Sequence, residues 1–173
     1  QAQWMTAGSG ILHEEMPQPA DRLYGLQLWV NLPQKDKMTD PQYFDITEDM
    51  TGKASYDWGS IRVIAGEFDD IRGVKPRNVQ ATLIDVIVGA GQSFTMPTAY
   101  DSNLFIYNLE GEGSFGGENA TTIGPKTAAV FDSGESFRAK AGVEDLRFVL
   151  FAGIPLNEPI AWGGPIVTNT QEE

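Results

Sequence analysis

The stretch ATLIDVIV, residues Ala81–Val88, is rich in β-branched and aliphatic side chains and is typical of a buried β-strand. A glycine-containing turn sequence follows it at Gly89–Gly91. Similar short runs recur along the chain, separated by Gly, Pro, Asn and Asp; they are Leu26–Leu32, Tyr43–Ile46, Ser60–Ala65, Leu104–Leu109, Thr127–Phe131 and Leu146–Phe151. Short strands spaced in this way predict an all-β sandwich or barrel.

The rest of the chain supplies turns rather than helices. Only Thr47–Lys53 suits a helical conformation, and for one turn at most. Gly8–Gly10 predicts a turn between two strands. Gly111–Gly117 predicts a hairpin, because it lacks the Lys-Ser/Thr ending of a phosphate-binding loop. The segment Ala90–Phe151 predicts a complete small barrel, and residues 1–46 predict part of another.

The charge of the chain argues against several partners. Twenty-four acidic and twelve basic residues give a net charge of −12. We find no basic stripe, so the surface should repel phosphate backbones, and direct nucleic-acid binding is not expected.

No apolar run is long enough to span a membrane, and no signal-peptide pattern opens the sequence. These features favour a cytoplasmic location, with a nuclear one also open in a eukaryote.

His13, the only histidine, precedes Glu15 by two positions. If this stretch is extended, both side chains point to one face and Glu14 points to the other. An imidazole and a carboxylate that converge suit a divalent first-row metal, particularly iron. The alternative is a hydrogen-bonded structural histidine, because a metal site also needs the right ligand count and a second shell.

The shortage of ligand residues narrows the chemistry. The chain has no cysteine, which excludes a thiol nucleophile, a zinc finger and a CxxC redox pair. A serine triad would need His13 as its base, and no Gly-x-Ser-x-Gly pattern occurs. Further ligands to a metal at His13 would have to be carboxylates, backbone groups, water or residues of another chain.

Five segments resemble one known family. Three lie near the start, at Gln3–Pro17, Gly25–Leu32 and Pro41–Tyr43, and two lie near the end, at Gly153–Pro159 and Gly163–Thr170. They occur in the order of the pirin family, and the resemblance extends over essentially the whole chain.

The resemblance implies an all-β, cupin-type fold. Pirins are bicupins, with two consecutive β-barrels, and this chain is similar to an internal stretch in which the first barrel is incomplete. The expected parts are a remnant of the N-terminal barrel at 1–52, a C-terminal barrel at 53–152, and a segment at 153–173 that packs back on the first barrel.

The resemblance also implies a metal site in the N-terminal barrel, held by three histidines and a glutamate. The third histidine and the glutamate correspond to His13 and Glu15. The first two histidines belong to an upstream His-x-His element that has no counterpart here. The C-terminal barrel of pirins is usually metal-free, which agrees with the absence of histidine after His13.

Two functions follow as expectations. The parent protein would be a quercetin 2,3-dioxygenase that cleaves a flavonol with O2, using Fe(II) or another first-row metal (Ni, Cu or Mn). His13 and Glu15 would bind the metal, and Glu15 would also act catalytically by accepting the flavonol proton. This chain alone would then be a poor dioxygenase, with a weakly held metal or none. The alternative is a non-enzymatic interaction module, either a transcriptional co-regulator or an accessory subunit, in which a protein partner covers the exposed strand edges of the incomplete barrel.

Overall fold

The computed structural model describes residues 2–14, 16, 19, 21 and 24–173. The regular secondary structure of this part of the chain is almost entirely β-strand, as the sequence predicts. Its strands are β1 Ala2–Thr6, β2 Gln42–Ile46, β3 Gly52–Tyr56, β4 Gly59–Ala65, β5 Glu67–Phe68, β6 Ile71–Arg72, β7 Ala81–Val88, β8 Ser93–Pro97, β9 Asn103–Glu110, β10 Gly113–Phe115, β11 Thr121–Ile123, β12 Thr127–Phe131, β13 Ser136–Ala141, β14 Leu146–Gly153, β15 Ala161–Gly163 and β16 Ile166–Thr168. Two single turns of 3-10 helix lie at Gln34–Asp36 and Glu48–Met50. No helix within the described residues has the length and hydrophobicity of a membrane span.

The described chain divides into two compact units. The central unit comprises Asp45–Pro155 together with Ala2, and the discontinuous unit comprises Gln3–Phe44 and Leu156–Glu173. The barrel boundaries expected at residues 52 and 152 stay a prediction, since compactness alone does not define a barrel.

Two antiparallel sheets form the body of the central unit. The larger sheet has six strands in the order β12-β9-β14-β7-β4-β3, and the smaller has four in the order β11-β10-β13-β8. β14 lies inside the larger sheet and pairs along its length with β7 on one side and β9 on the other. Its apolar residues on both faces explain why the sequence shows a continuous run at this position rather than an alternation.

Phenylalanine rings fill the interior of the central unit. Phe94 of β8 and Phe148 of β14 are fully buried, with ring centroids 6.0 Å apart. Phe137 lies 6.3 Å from Phe94 and 5.9 Å from Phe148, and Phe115 lies 5.4 Å from Phe148. Such tilted and edge-to-face pairs bring the positive edge of one ring to the negative face of another. The two sheets are therefore joined through a dense aromatic core.

Gly111 forms a corner between the sheets. Its φ of +75° is in the left-handed region, and a Cβ atom there would lie 2.1 Å from the carbonyl oxygen of Asp145. Only glycine fits such a position. The chain passes here from β9 in the six-stranded sheet to β10 in the four-stranded sheet. The hairpin predicted over Gly111–Gly117 is therefore wrong at its first half, and the hairpin that does form joins β10 to β11.

Several strand predictions are confirmed. Ala81–Val88 and Thr127–Phe131 match β7 and β12 residue for residue, and the single helical turn expected in Thr47–Lys53 is the 3-10 turn at Glu48–Met50. These runs could be identified because each is apolar on at least one face and bounded by turn residues.

The strand predicted at Leu26–Leu32 is wrong. This stretch lies outside any strand, and its apolar side chains are largely exposed, with Trp29 at 57%. Alternation indicates which side chains share a face, but a strand also needs a neighbour for its backbone N–H and C=O groups. The described residues provide no such neighbouring strand here.

Polar contacts hold the two segments of the discontinuous unit together. The backbone N–H of Gln34 donates to the Glu158 carboxylate at 2.7 Å, and Lys37 Nζ donates to the Val167 carbonyl at 3.2 Å. The rings of Trp29 and Trp162 lie 6.4 Å apart. Residues close to both ends of the sequence therefore belong to one structural unit.

The sheet interior gives a matched stability test. Val86 in β7 is fully buried, whereas Val130 in β12 of the same sheet is 83% exposed. We expect Val86→Ala to lower the free energy of unfolding by about 2 kcal/mol, because it removes buried methyl groups and leaves a cavity. Val130→Ala should change it by less than about 0.5 kcal/mol. Urea unfolding followed by tryptophan fluorescence measures both values, and equal losses would contradict the two-sheet core.

Candidate functional site

His13 lies on an irregular segment that follows β1. Gly8 begins the turn: its φ is +52°, and a Cβ atom there would lie 2.1 Å from the carbonyl oxygen of Thr39. The N–H of Ser9 donates to the same oxygen at 2.9 Å, which fixes the turn. The predicted turn is confirmed, but Ile11–Glu14 beyond it lies outside any strand. The prediction of a second strand after this turn is therefore wrong for Ile11–Glu14.

The predicted pairing of His13 with Glu15 stays a prediction. His13 is exposed in the structure, and Glu15 lies outside the described residues. The argument from alternating side chains applies only to extended strand, and the described residues next to Glu15 are not in one.

The described residues do not bring together a metal site by themselves. Within the part of the chain that the structure describes, no group of three His, Cys, Asp or Glu side chains is placed to hold a metal ion. The sequence offers one imidazole and no thiolate. Open iron sites of the facial-triad type use three protein ligands, so His13 and Glu15 would need at least one further ligand.

Aromatic side chains fill much of the interior of the central unit. Phe94, Phe137 and Phe148 occupy the space between the sheets, and no histidine follows His13 in the sequence. A polar side chain in this core, Asn108, is held instead by structural bonds: its Nδ2 donates to the carbonyls of Gly111 at 2.9 Å and Ile123 at 3.2 Å.

A cavity of about 930 Å³ opens at one end of the central unit. It is bounded by the β5–β6 hairpin, the segment from Gly73 to Thr82, the end of β8, and residues 152–154. Its lining includes Phe68 and Met96 from the apolar core and three basic residues, Arg72, Lys75 and Arg77.

Sequence reasoning missed this cavity. The signal was present, because three basic residues fall within six positions of a chain that carries a net charge of −12. The search for a basic stripe long enough to bind nucleic acid passed over this shorter cluster. A cavity also depends on long-range packing that no local pattern reveals.

The six-stranded sheet carries an ion cluster on the face opposite to its aromatic core. Arg147 donates to both carboxylate oxygens of Asp85, at 3.0 Å from Nε and 2.8 Å from Nη2, and Arg62 lies 3.7 Å from the same carboxylate. These residues come from β14, β7 and β4, which are neighbours in the sheet. The bidentate geometry fixes strand register, so we interpret the cluster as structural.

Comparison with known proteins identifies the chain. The profile of the Pirin C-terminal cupin domain matches residues 83–173, and the profile described as Pirin matches residues 1–30. The chain belongs to the pirin family. Its all-β, cupin-type fold is also that of its solved structural neighbours, so the fold expected from the sequence is confirmed.

Individual pirins give the degree of similarity. The chain is 38% identical to a pirin-like protein of Solanum lycopersicum and 38% identical to pirin of Homo sapiens, in each case over 99% of this chain. The solved structure of a quercetin 2,3-dioxygenase from Acinetobacter baumannii is 33% identical, with a TM-score of 0.75, over 83% of this chain and 50% of that one. The chain spans 59% and 60% of the length of the two pirins.

The ligand count leads to a metal-binding prediction. We expect the 173-residue chain, loaded with Ni²⁺ or Fe²⁺, to lose its metal during dialysis, because two ligands do not pre-organise a site. Metal content after dialysis, measured by plasma emission spectrometry, tests this. Any residual binding should fall in His13→Ala and Glu15→Gln and persist in the matched control Glu14→Gln. Stoichiometric metal retained by the unmodified chain would contradict the prediction.

Proposed function

We propose that this chain is part of a metal-dependent pirin that cleaves a flavonol such as quercetin with O2. The observation that carries the proposal is the similarity to the Acinetobacter baumannii quercetin 2,3-dioxygenase, which extends over most of this chain in both sequence and structure. That similarity implies a metal cofactor in the family and a small-molecule substrate. Fe(II) is the metal we favour, with Ni, Cu and Mn as the other first-row candidates.

In this proposal the chain contributes only part of the active site. His13 and Glu15 would be two of the metal ligands, and histidines outside this sequence would complete the set. The metal would supply the activation of O2 and flavonol. Glu15 would accept the proton of the flavonol hydroxyl, a role that requires a carboxylate within hydrogen-bond reach of that hydroxyl.

The central unit would have a supporting role in catalysis. Aromatic rings pack around Phe148 in its core, and the Nδ2 of its polar interior residue Asn108 donates to backbone carbonyls. The proposal therefore assigns the reaction to the part of the protein that contains His13, and stability to the unit that contains Phe148.

A turnover assay tests the proposal. The 173-residue chain, incubated with quercetin in air and Fe²⁺, Ni²⁺, Cu²⁺ or Mn²⁺, should show no more turnover than the metal alone. Joined to the His-x-His-bearing segment of a full-length pirin, it should cleave quercetin. His13→Ala and Glu15→Gln in the fusion should lower kcat/KM by roughly 100-fold or more, because they remove ligands.

The control for that assay is Glu14→Gln, which removes a carboxylate next to the proposed ligand without removing the ligand. It should leave turnover within about threefold of the unmodified fusion, as expected for an exposed side chain outside the site. An inactive fusion that binds metal stoichiometrically would refute the dioxygenase. Strong turnover by the 173-residue chain alone would refute the need for further ligands.

We also propose an alternative, a non-enzymatic interaction module, which one observation favours. The discontinuous unit exposes large apolar side chains, with Trp162 at 71% and Trp29 at 57% of their surface accessible. Their rings are 6.4 Å apart, and exposed apolar patches of this kind mark sites of protein contact. The occupant of this patch would be a protein partner.

Tryptophan accessibility shows whether this patch binds a separate protein or is covered by the pirin segment of the fusion. If the patch binds a separate protein, acrylamide should quench Trp29 and Trp162 as strongly in the fusion as in the 173-residue chain. If the pirin segment in the fusion covers them, quenching should fall and emission should shift to the blue. The second result would show an intramolecular contact and would contradict the interaction module. Trp29→Phe and Trp162→Phe identify the contribution of each ring.

A further inference from the structure

We propose that the cavity at the end of the central unit is a binding site for a hydroxylated aromatic carboxylate. Its volume of about 930 Å³ falls within the range of small-molecule sites in proteins. All residues that line this cavity lie between positions 66 and 154, and neither His13, Glu15 nor a metal contributes to it.

The cavity has an apolar floor. Phe68 and Met96 are buried members of the aromatic core, and Phe68 stacks on Phe94 with ring centroids 5.5 Å apart. Ala81 and Ala152 add small side chains to the lining. When a planar ring lies against this floor, water is released from the ring face and from the apolar side chains of the floor. This release favours binding of an aromatic ligand.

The rim of the cavity is basic. Arg72, Lys75 and Arg77 line it together with two acidic residues, Glu67 and Asp69. Arg72 lies 3.7 Å from Glu67, so that pair is largely self-compensated. Lys75 and Arg77 make no ion pair with any residue among those described. Three basic and two acidic side chains leave the rim with a net charge of +1, which favours an anion there in a chain whose net charge is −12.

A buried acceptor adds a third element. The Oδ1 atom of Asn78, which lines the cavity, is buried and receives no hydrogen bond from any described part of the protein. A buried carbonyl oxygen without a donor is unfavourable, and a rotation of the half-buried Asn78 side chain toward the cavity would let a ligand hydroxyl donate to this oxygen. An aromatic body, a carboxylate and a hydroxyl together match the floor, the rim and Asn78.

The backbone holds this arrangement in place. The N–H of Gly66 donates to the Val74 carbonyl at 2.9 Å, that of Gly73 to the Gly66 carbonyl at 3.0 Å, and that of Val74 to the Ile64 carbonyl at 3.0 Å. Gly73 has no room for a side chain, because a Cβ atom would lie 2.5 Å from the carbonyl carbon of Ile64. The segment that carries the basic residues is thus tied to β4 before any ligand binds, which lowers the entropic cost of binding.

Three probes separate the contributions of the ligand groups. 6-Hydroxy-2-naphthoate carries the ring, the carboxylate and the hydroxyl; 2-naphthoate lacks the hydroxyl, and 2-naphthol lacks the carboxylate. We expect saturable binding of 6-hydroxy-2-naphthoate to the folded 173-residue chain by titration calorimetry, with shifts in the methyl NMR signals of Met96, Ala81 and Ala152. The other two probes should bind roughly three- to tenfold more weakly, because each lacks one polar contact.

Matched variants test the residues. Lys75→Gln with Arg77→Gln should weaken 6-hydroxy-2-naphthoate roughly three- to tenfold and leave 2-naphthol unchanged. Asn78→Ala should remove the preference for 6-hydroxy-2-naphthoate over 2-naphthoate. Lys140→Gln, an exposed lysine of β13 outside the cavity lining, should change neither affinity. Methyl NMR spectra confirm that each variant is folded before its affinity is compared.

Three results would overturn the proposal. The first is no saturable binding of 6-hydroxy-2-naphthoate at millimolar concentration to a chain whose methyl spectrum is that of a folded protein. The second is equal binding of the acid and of 2-naphthol, which would show that the basic rim has no effect. The third is the same loss of affinity in Lys140→Gln as in the rim variant, which would indicate general charge attraction. Preference for the full probe, lost in the rim and Asn78 variants alone, supports the site.

Discussion

Aromatic packing between the two sheets of the central unit is the constraint on which the rest of the structure depends. Phe94, Phe137 and Phe148 come from β8, β13 and β14, so a single ring cluster joins strands of both sheets. The burial of these rings supplies apolar stabilisation and fixes the distance between the sheets. The same packing limits function, because it fills the space that a larger or more polar barrel would leave for a ligand. The cavity described above opens where this core ends, at Phe68 and Met96.

Much of the fold could be predicted from local sequence, and the reasons for the failures are physical. β7 and β12 were predicted correctly because their apolar runs are bounded by turn residues. Leu26–Leu32 has an equally clear alternation but lies outside any strand, since strand formation depends on a hydrogen-bonding neighbour that the pattern does not specify. The hairpin predicted over Gly111–Gly117 was wrong at Gly111, because the role of this glycine as a corner between two sheets depends on long-range pairing.

The candidate sites also divide into features that local sequence reveals and features that depend on long-range packing. His13 and Glu15 could be singled out because histidine is unique in this chain and the resemblance to pirins assigns them a role, yet their mutual geometry stays a prediction. The cavity at Arg72, Lys75 and Arg77 was missed, because its walls come from segments far apart in sequence. Residue type thus revealed the candidate ligands, whereas a binding surface assembled from β5, β8 and β14 required the structure.

The discontinuous unit has a consequence for the order of folding. Its two segments are separated by the whole of Asp45–Pro155, about 110 residues, yet they bond directly, as at Gln34 and Glu158. Closing an unstructured loop of that length carries a large entropic cost. A folded central unit removes most of this cost, because it restricts the chain between the two segments. The central unit should therefore form first, and the two ends of the described chain should join in a later kinetic phase.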